Sequence, residues 1–132
     1  MIDYNFITGK IINCAIEVHK ELGPGLLESV YETCLLEELK INNLKVYNQV
    51  KLPINYKGKE LNKDFYIDLL VENEIIVELK SVDILLPVHE VQLVTYLKLA
   101  DKRIGLLINF NVPVLKEGIR RKINGYIDIT TQ

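Results

Sequence analysis

The chain has 132 residues, 48% of them apolar and 26% charged, a balance that excludes disordered and fibrous classes and predicts one globular domain over residues 1–132. No run reaches the ~20 apolar residues of a membrane span, and Asp3 stands where a secretory signal would be basic, so a cytoplasmic protein away from membranes is expected. The net charge of −2 argues against tight, indiscriminate nucleic-acid binding unless several acids are gathered around divalent cations, which would reverse the local sign.

In chain order, Ile7, Ile11, Ile12, Ala15, Ile16 and Val18 recur at helical spacing and predict a first helix from Phe6 to Leu22, broken by Gly23-Pro24-Gly25. A second helix is expected from Leu26 to Lys40, with Val30, Tyr31, Cys34, Leu35 and Leu39 on one side and Glu32, Glu37, Glu38 and Lys40 mainly on the other. Segments 45–50 and 52–56 are rich in β-formers and end at Lys57-Gly58-Lys59. Phe65 to Val71 and Ile75 to Lys80 flank the polar triplet Glu72-Asn73-Glu74 and predict a hairpin. Pro87 opens a third helix, about Val88 to Ala100, which reads as a crossover to a buried strand within Arg103 to Asn109. The basic tail from Lys116 to Gly125 reads as a short terminal helix between Pro113 and Gly125. Cys14 and Cys34 lie in helical segments outside any metal or catalytic spacing and are expected as buried, reduced thiols.

The hairpin concentrates the chemistry. A three-residue loop pairs Val71 with Ile75 and so sets Asp68 across from Glu78, while Lys80, two residues further on, projects to the same side. Opposed carboxylates at ~4 Å repel by roughly 4 kcal/mol at an effective dielectric of ~20, so the pair requires a proton, a cation or wide exposure. Magnesium supplies such a cation, because it takes oxygen ligands and needs only one or two protein carboxylates. Lys80 would then orient or deprotonate an attacking water or stabilise the phosphate. Alone, the pattern D-x(9)-E-x-K is equally a solvated cross-strand charge cluster; the apolar runs Leu69-Leu70-Val71 and Ile75-Ile76-Val77 place it in a central sheet, where unpaired charge is costly.

Glu28 continues the stripe of Tyr31, Leu35 and Leu39 and is expected to point inward as a third acid; as an isolated first-turn glutamate it would simply complement the helix dipole. Gln92 and Tyr96, one turn apart, present an amide and a phenol on one face of helix three, either toward Lys80 and a phosphate or as ordinary packing beside Leu93 and Leu97. Arg120 and Arg121 are candidate phosphate contacts on a basic terminal segment that equally suits a solvated face. His19 and His89 have no partners at metal-ligand spacing, and His89 is expected to help open helix three.

The stretch Gly25-Leu26-Leu27-Glu28-Ser29-Val30-Tyr31 resembles the GxxExxY protein family, placed in the PD-(D/E)XK nuclease superfamily. The likeness extends over most of the chain through Glu17 to Pro24, Ile76 to Lys80, Leu86 to Leu93, Thr95 to Lys98 and Leu106 to Phe110. It implies an α/β, restriction-endonuclease-like core, a central mixed sheet flanked by helices, in which Asp68 and Glu78 hold magnesium or manganese, Glu28 is the helix-borne acid and metal ligand, and Lys80 serves the attacking water. Gln92 and Tyr96 look like the Q-x-x-x-Y element of some exonuclease-like branches. Ile67 precedes Asp68, so the literal Pro-Asp of the superfamily name is absent.

The expected function is a Mg2+-dependent nuclease acting on nucleic acid, DNA ahead of RNA, through a metal-activated water. The alternatives are a catalytically weak binding or interaction module that keeps the fold, and a small-molecule or nucleotide enzyme reusing the metal site. The short length suggests a homodimer or a targeting partner protein.

Overall fold

The 3.6-residue apolar rhythm of the N-terminal segment forms helix α1, Tyr4–Leu22, in the computed structural model, which describes residues 1–125. Asp3 caps it, its side chain accepting the Phe6 N–H at 3.0 Å. Gly23, at φ 72°, ends it in a conformation that glycine adopts without steric cost. Helix α2, Glu28–Ile41, opens two residues later than the pattern suggested, because Leu26 lies in a bend and Leu27 is extended at ψ 150°.

The tyrosine of the Gly25–Tyr31 stretch explains that loop. Tyr31 is fully buried; its hydroxyl donates to the Gly23 carbonyl at 2.6 Å and accepts the Leu26 N–H at 3.1 Å. Its ring stacks on Phe110 with centroids 4.4 Å apart, so one side chain fastens the α1–α2 turn to the end of the central sheet.

The sheet has the order β1-β2-β3-β4-β5, formed by Val46–Tyr56, Lys59–Val71, Ile75–Lys80, Ile104–Asn109 and Ile119–Ile123. The two expected strands at 45–50 and 52–56 are one strand with a register irregularity between Leu52 and Ile54, where Pro53 cannot donate to a ladder. Strand β2 begins at Lys59, six residues before the apolar run. The expected pairing of Val71 with Ile75 is observed, with Glu72 and Asn73 at φ 54° and 56° in the connecting turn.

Helix α3, Pro87–Ala100, connects β3 to β4, and these two strands are parallel, Lys80 lying beside Asn109. The other neighbouring pairs are antiparallel, so the sheet is mixed. Helices α1 and α2 cover one face through Ile11, Ala15, Tyr31, Leu35 and Leu39, and α3 covers the other through Leu93 and Leu97.

The expected terminal helix is not found. Residues 115–118 make one 3-10 turn, and Ile119–Ile123 form edge strand β5, with Ile119 and Ile123 paired to Ile108 and Ile104. Every residue of β4 is buried, and a helix in this place would leave its outer row of N–H and C=O groups unpaired; that cost outweighs the weak local preference for helix.

Besides the irregularity at Leu52–Ile54, the assignment of side chains to the two faces switches within the β1–β2 ribbon. Leu69 and Val71 face the α1–α2 core, yet Ile67 joins Leu70 in the α3-side core; on β1, Val46 and Val50 are likewise split between the two faces. Residues an even number apart in a regular strand share a face, so the β1–β2 ribbon turns over at the opposed residues Gln49 and Asp68. Gln49 takes φ 49° to allow it, a left-handed backbone that costs a non-glycine residue about 1–3 kcal/mol.

Replacing Tyr31 by Phe removes both hydroxyl hydrogen bonds while keeping the stacked ring. The expected loss is about 1–3 kcal/mol, read as a lower urea midpoint with an unchanged slope. An unaltered midpoint would show that the hydroxyl does not hold the loop.

Candidate active site

Strands β2 and β3 pair regularly only from Val71/Ile75 to Leu69/Val77. At the next position the ladder continues through side chains: the Asp68 N–H donates to Glu78 Oε2 at 3.1 Å, and the Leu79 N–H donates to Asp68 Oδ2 at 2.9 Å. Each acid thus satisfies a backbone donor on the opposite strand, which holds the strands in a fork and draws Asp68 and Glu78 together. The register is the one counted from the hairpin loop.

Glu78 is 7% exposed and has no ion-pair partner among the described residues. Burial, followed by its contact with Asp68 and the repulsion of the Asp68 charge, pushes its carboxyl up to about 9; the Lys80 ammonium opposes the shift but is outweighed. Alternation along β3 sends Glu78 and Lys80 to the α3 side, since Leu79 between them lies in the α1–α2 core. Lys80 is half-buried, makes no side-chain hydrogen bond or salt bridge among the described residues, and gives its carbonyl to the Phe110 N–H at 2.9 Å.

Tyr96 is the member of the Gln92–Tyr96 pair that the fold brings to the acids. Burial and then the charges of Glu78 and Asp68 raise its phenol above the ordinary range, and its ring meets Phe65 edge-on at 6.4 Å. It also packs with the Leu93 and Leu97 cluster. Gln92 is exposed and makes no hydrogen bond among the described residues.

Glu28 does not point inward. The stripe that is buried at Tyr31, Leu35 and Leu39 emerges one turn earlier, where residues 26–30 are all exposed beside the end of β3, with Ser81 Oγ donating to the Leu26 carbonyl. The α2 acid tied to the fork is Glu32, which the helical pattern placed on the outer side. Gln49 Nε2 donates to Glu32 Oε1 at 2.7 Å and to Asp68 Oδ1 at 3.3 Å. No sequence signal marks this link, because it depends on the left-handed turn at Gln49.

A second residue without an assigned role is Asn109. It is 2% exposed; its Oδ1 accepts the Val82 N–H at 3.0 Å and the Asn111 N–H at 3.2 Å, and its Nδ2 donates to the Val82 carbonyl at 2.9 Å. It fixes the backbone that leaves β3 just after Lys80. A buried amide ending the apolar run at 104–108 is the signal that marks it.

Arg120 and Arg121 stand on β5, with β4 between them and β3, and Arg120 Nη1 is occupied by the carbonyls of Glu117 and Ile119 at 2.8 and 3.0 Å. His19 bonds the Val112 carbonyl at 2.8 Å, and His89 Nδ1 accepts the Leu86 N–H at 3.0 Å at the start of α3. Cys14 is buried, Cys34 half-buried, and both are free thiols. No helix among the described residues is long and apolar enough to cross a membrane.

Among the described residues, no three His, Cys, Asp or Glu side chains converge into a ready-made metal cage. The fork nevertheless fits a hard divalent cation. Its donors are carboxylate oxygens, its two acids repel in a buried setting, and Mg2+ or Ca2+ would relieve the cost that now keeps a proton on Glu78.

A mixed five-stranded sheet flanked by three helices, with paired acids and a lysine at the fork of its central hairpin, defines a restriction-endonuclease-like class of protein. The sequence model of the PD-(D/E)XK nuclease superfamily matches residues 5–122, and the chain belongs to that superfamily. No curated protein matches the sequence. The crystal structure of SSO0001 is similar in fold, with a TM-score of 0.52 at 23% identity over 97% of this chain; the chain spans 62% of that protein's length.

The shift on Glu78 has a sign that can be measured. Its folded value lies above the unfolded 4.5, so the stability tied to its proton is complete below about pH 4.5 and drains away as pH rises toward 9. Glu78→Gln, which keeps a donor for Asp68 and an acceptor for its N–H, should therefore stabilise the metal-free protein by about 3 kcal/mol at pH 7 and change it little at pH 4. A difference in melting temperature that stays constant between these pH values would contradict the buried, protonated state.

Proposed function

We propose that the fork hydrolyses phosphodiester bonds of nucleic acid with one or more magnesium ions, or manganese, held by Asp68 and Glu78. The observation that carries this reading is the acid pair itself: two carboxylates forced together in a buried fork, with Lys80 two residues beyond. A pure binding module gains nothing from such a pair, since an unpaired buried acid is a standing cost. Superfamily membership and the GxxExxY-like stretch from Gly25 to Tyr31 support the same conclusion.

When bound, such an ion supplies Lewis acidity toward a phosphoryl oxygen and lowers the pKa of water. The chain's own groups divide the remaining work. Asp68 is oriented by the Leu79 N–H and by Gln49, so its carboxylate is set before any ligand arrives. Lys80, free of ion pairs among the described residues and held by the backbone contacts of Phe110 and the Asn109 clamp, presents an ammonium to the phosphate or to the attacking water. Tyr96 closes the α3 side of the fork and offers a phenol donor there. Of the two α2 glutamates one turn apart, Glu32 is the candidate helix-borne acid, because Gln49 already links it to Asp68.

Labelled single- and double-stranded DNA and RNA, incubated with Mg2+ or Mn2+, test the activity. Lys80→Ala should lower cleavage by a factor of ~10² or more while leaving substrate affinity close to that of the parent protein. Cleavage that survives this change would assign the chemistry to another site or to a contaminant.

Metal binding should also expel the Glu78 proton. Titration calorimetry in buffers of different ionisation enthalpy should show about one proton released per first ion at pH 7, with apparent affinity rising about tenfold per pH unit below pH 9. Proton-neutral binding would remove Glu78 from the ligand set.

A further inference from the structure

Beyond Leu52 and Ile67, which still pack in the α3-side core, the β1–β2 ribbon leaves the body of the sheet. Strand β3 pairs with residues 69–71 alone, and every residue from Lys59 to Tyr66 is exposed. An isolated two-stranded ribbon is marginally stable in water, so a long one with an apolar side calls for a partner.

That side is defined by the register. Leu52 pairs with Phe65, and beyond the register irregularity Ile54 pairs with Leu61 and Tyr56 with Lys59, residues 52, 54 and 56 alternating along β1 with Pro53 and Asn55. Leu52 is buried in the α3-side core, Phe65 meets Tyr96 edge-on, and Tyr56 remains 60% exposed near the tip. An apolar, aromatic stripe therefore runs outward from the acid pair by way of Tyr96 and Phe65 to Tyr56.

The ribbon is locally basic. Residues 46–66 carry four lysines against two acids, in a chain whose net charge is −2. Lys51 is taken by Asp64 at 3.1 Å, whereas Lys57, Lys59 and Lys63 have no salt bridge among the described residues; Lys57 rests over the Tyr56 ring at 5.4 Å. Free ammonium groups beside exposed rings match a polyanion that also offers aromatic faces. Such faces are closed against one another in a duplex and open in an unpaired strand.

We propose that this ribbon is a binding arm for an unpaired DNA or RNA strand, whose bases stack on Tyr56 and Phe65 and whose phosphates meet Lys57, Lys59 and Lys63 while the strand is led toward the fork. The proposal rests on the nucleic-acid reading above and specifies which form of nucleic acid the site receives.

The test uses the full chain in chelator, with labelled oligothymidylate, oligouridylate and a thymidylate–adenylate duplex as probes. Single strands should bind more tightly than the duplex. Tyr56→Ala should weaken single-strand binding about tenfold, and Tyr56→Phe, which keeps the ring, should restore it. The triple change Lys57→Ala, Lys59→Ala, Lys63→Ala should reduce the slope of log affinity against log salt by about 2, since each phosphate contact on a single strand contributes ~0.7. Circular dichroism checks that these surface variants fold. Preference for the duplex, or an affinity and salt slope unmoved by both changes, overturns the arm. Hydrolysis of bis(p-nitrophenyl) phosphate, too small to reach the ribbon, is followed in parallel. Turnover of that ester with unmoved oligonucleotide binding leaves the catalytic reading standing and the arm refuted; arm-dependent binding without any turnover does the reverse.

Discussion

The molecule is organised around a break in a β-ladder. At Asp68 and Glu78 two carboxylates replace the backbone-to-backbone bonds that strands β2 and β3 make elsewhere, each accepting an N–H from the other strand. Satisfying those donors is what makes the fork tolerable in a buried sheet, because an orphaned N–H there costs about as much as a lost hydrogen bond. The residual cost falls on Glu78, which stays protonated well above neutrality because it is buried against the Asp68 charge. The acid pair is therefore retained at a cost in stability at this point.

The surroundings are arranged to hold that break open. Gln49 adopts a left-handed backbone directly opposite Asp68 and uses its amide to bind both Asp68 and Glu32, so the strain of the turnover is offset where it arises. Asn109 on β4 secures the exit of β3, and Tyr31 on α2 secures the loop whose Leu26 carbonyl meets Ser81 just after Lys80. Three elements that are distant in sequence thus converge on the end of one six-residue strand. The parallel β3–β4 pair makes this possible, because α3 must cross over and deliver Tyr96 to the same side as Glu78 and Lys80.

What was legible in the sequence was whatever depends on local counting. The hairpin arithmetic from Glu72-Asn73-Glu74 located Asp68 across from Glu78, since loop length fixes register and register fixes facing pairs. The apolar blocks at 75–79 and 104–108 declared two central strands, and the helix between them declared a crossover. What stayed hidden depends on tertiary competition. The segment 119–123 is basic and short enough to read as a helix, yet the open edge of β4 recruits it as a strand. Helical phase put Glu28 inward and Glu32 outward, but phase says nothing about where a helix runs out of core to pack against. The turn of α2 bearing Glu28 overhangs the sheet end, and a glutamine on a neighbouring strand captures Glu32 instead.

The turnover at Gln49 and Asp68 also sets which way the ribbon faces. In a flat hairpin with unbroken alternation, Phe65 and Ile67 would sit on the face that Leu69 occupies, against α1 and α2, and the ribbon would present its aromatic side away from Tyr96. Because the strands roll over at that residue pair, the face that is core at Leu52 and Ile67 becomes the open face at Phe65 and Tyr56, continuous with the mouth of the fork. One irregular position therefore does two things at once: it takes Asp68 out of the regular β2–β3 ladder, and it turns the exposed part of the ribbon toward the side on which Tyr96 lies. The left-handed residue at position 49 thus bears on the acid pair and on the ribbon together, through its amide on Asp68 and through the face on which Phe65 lies.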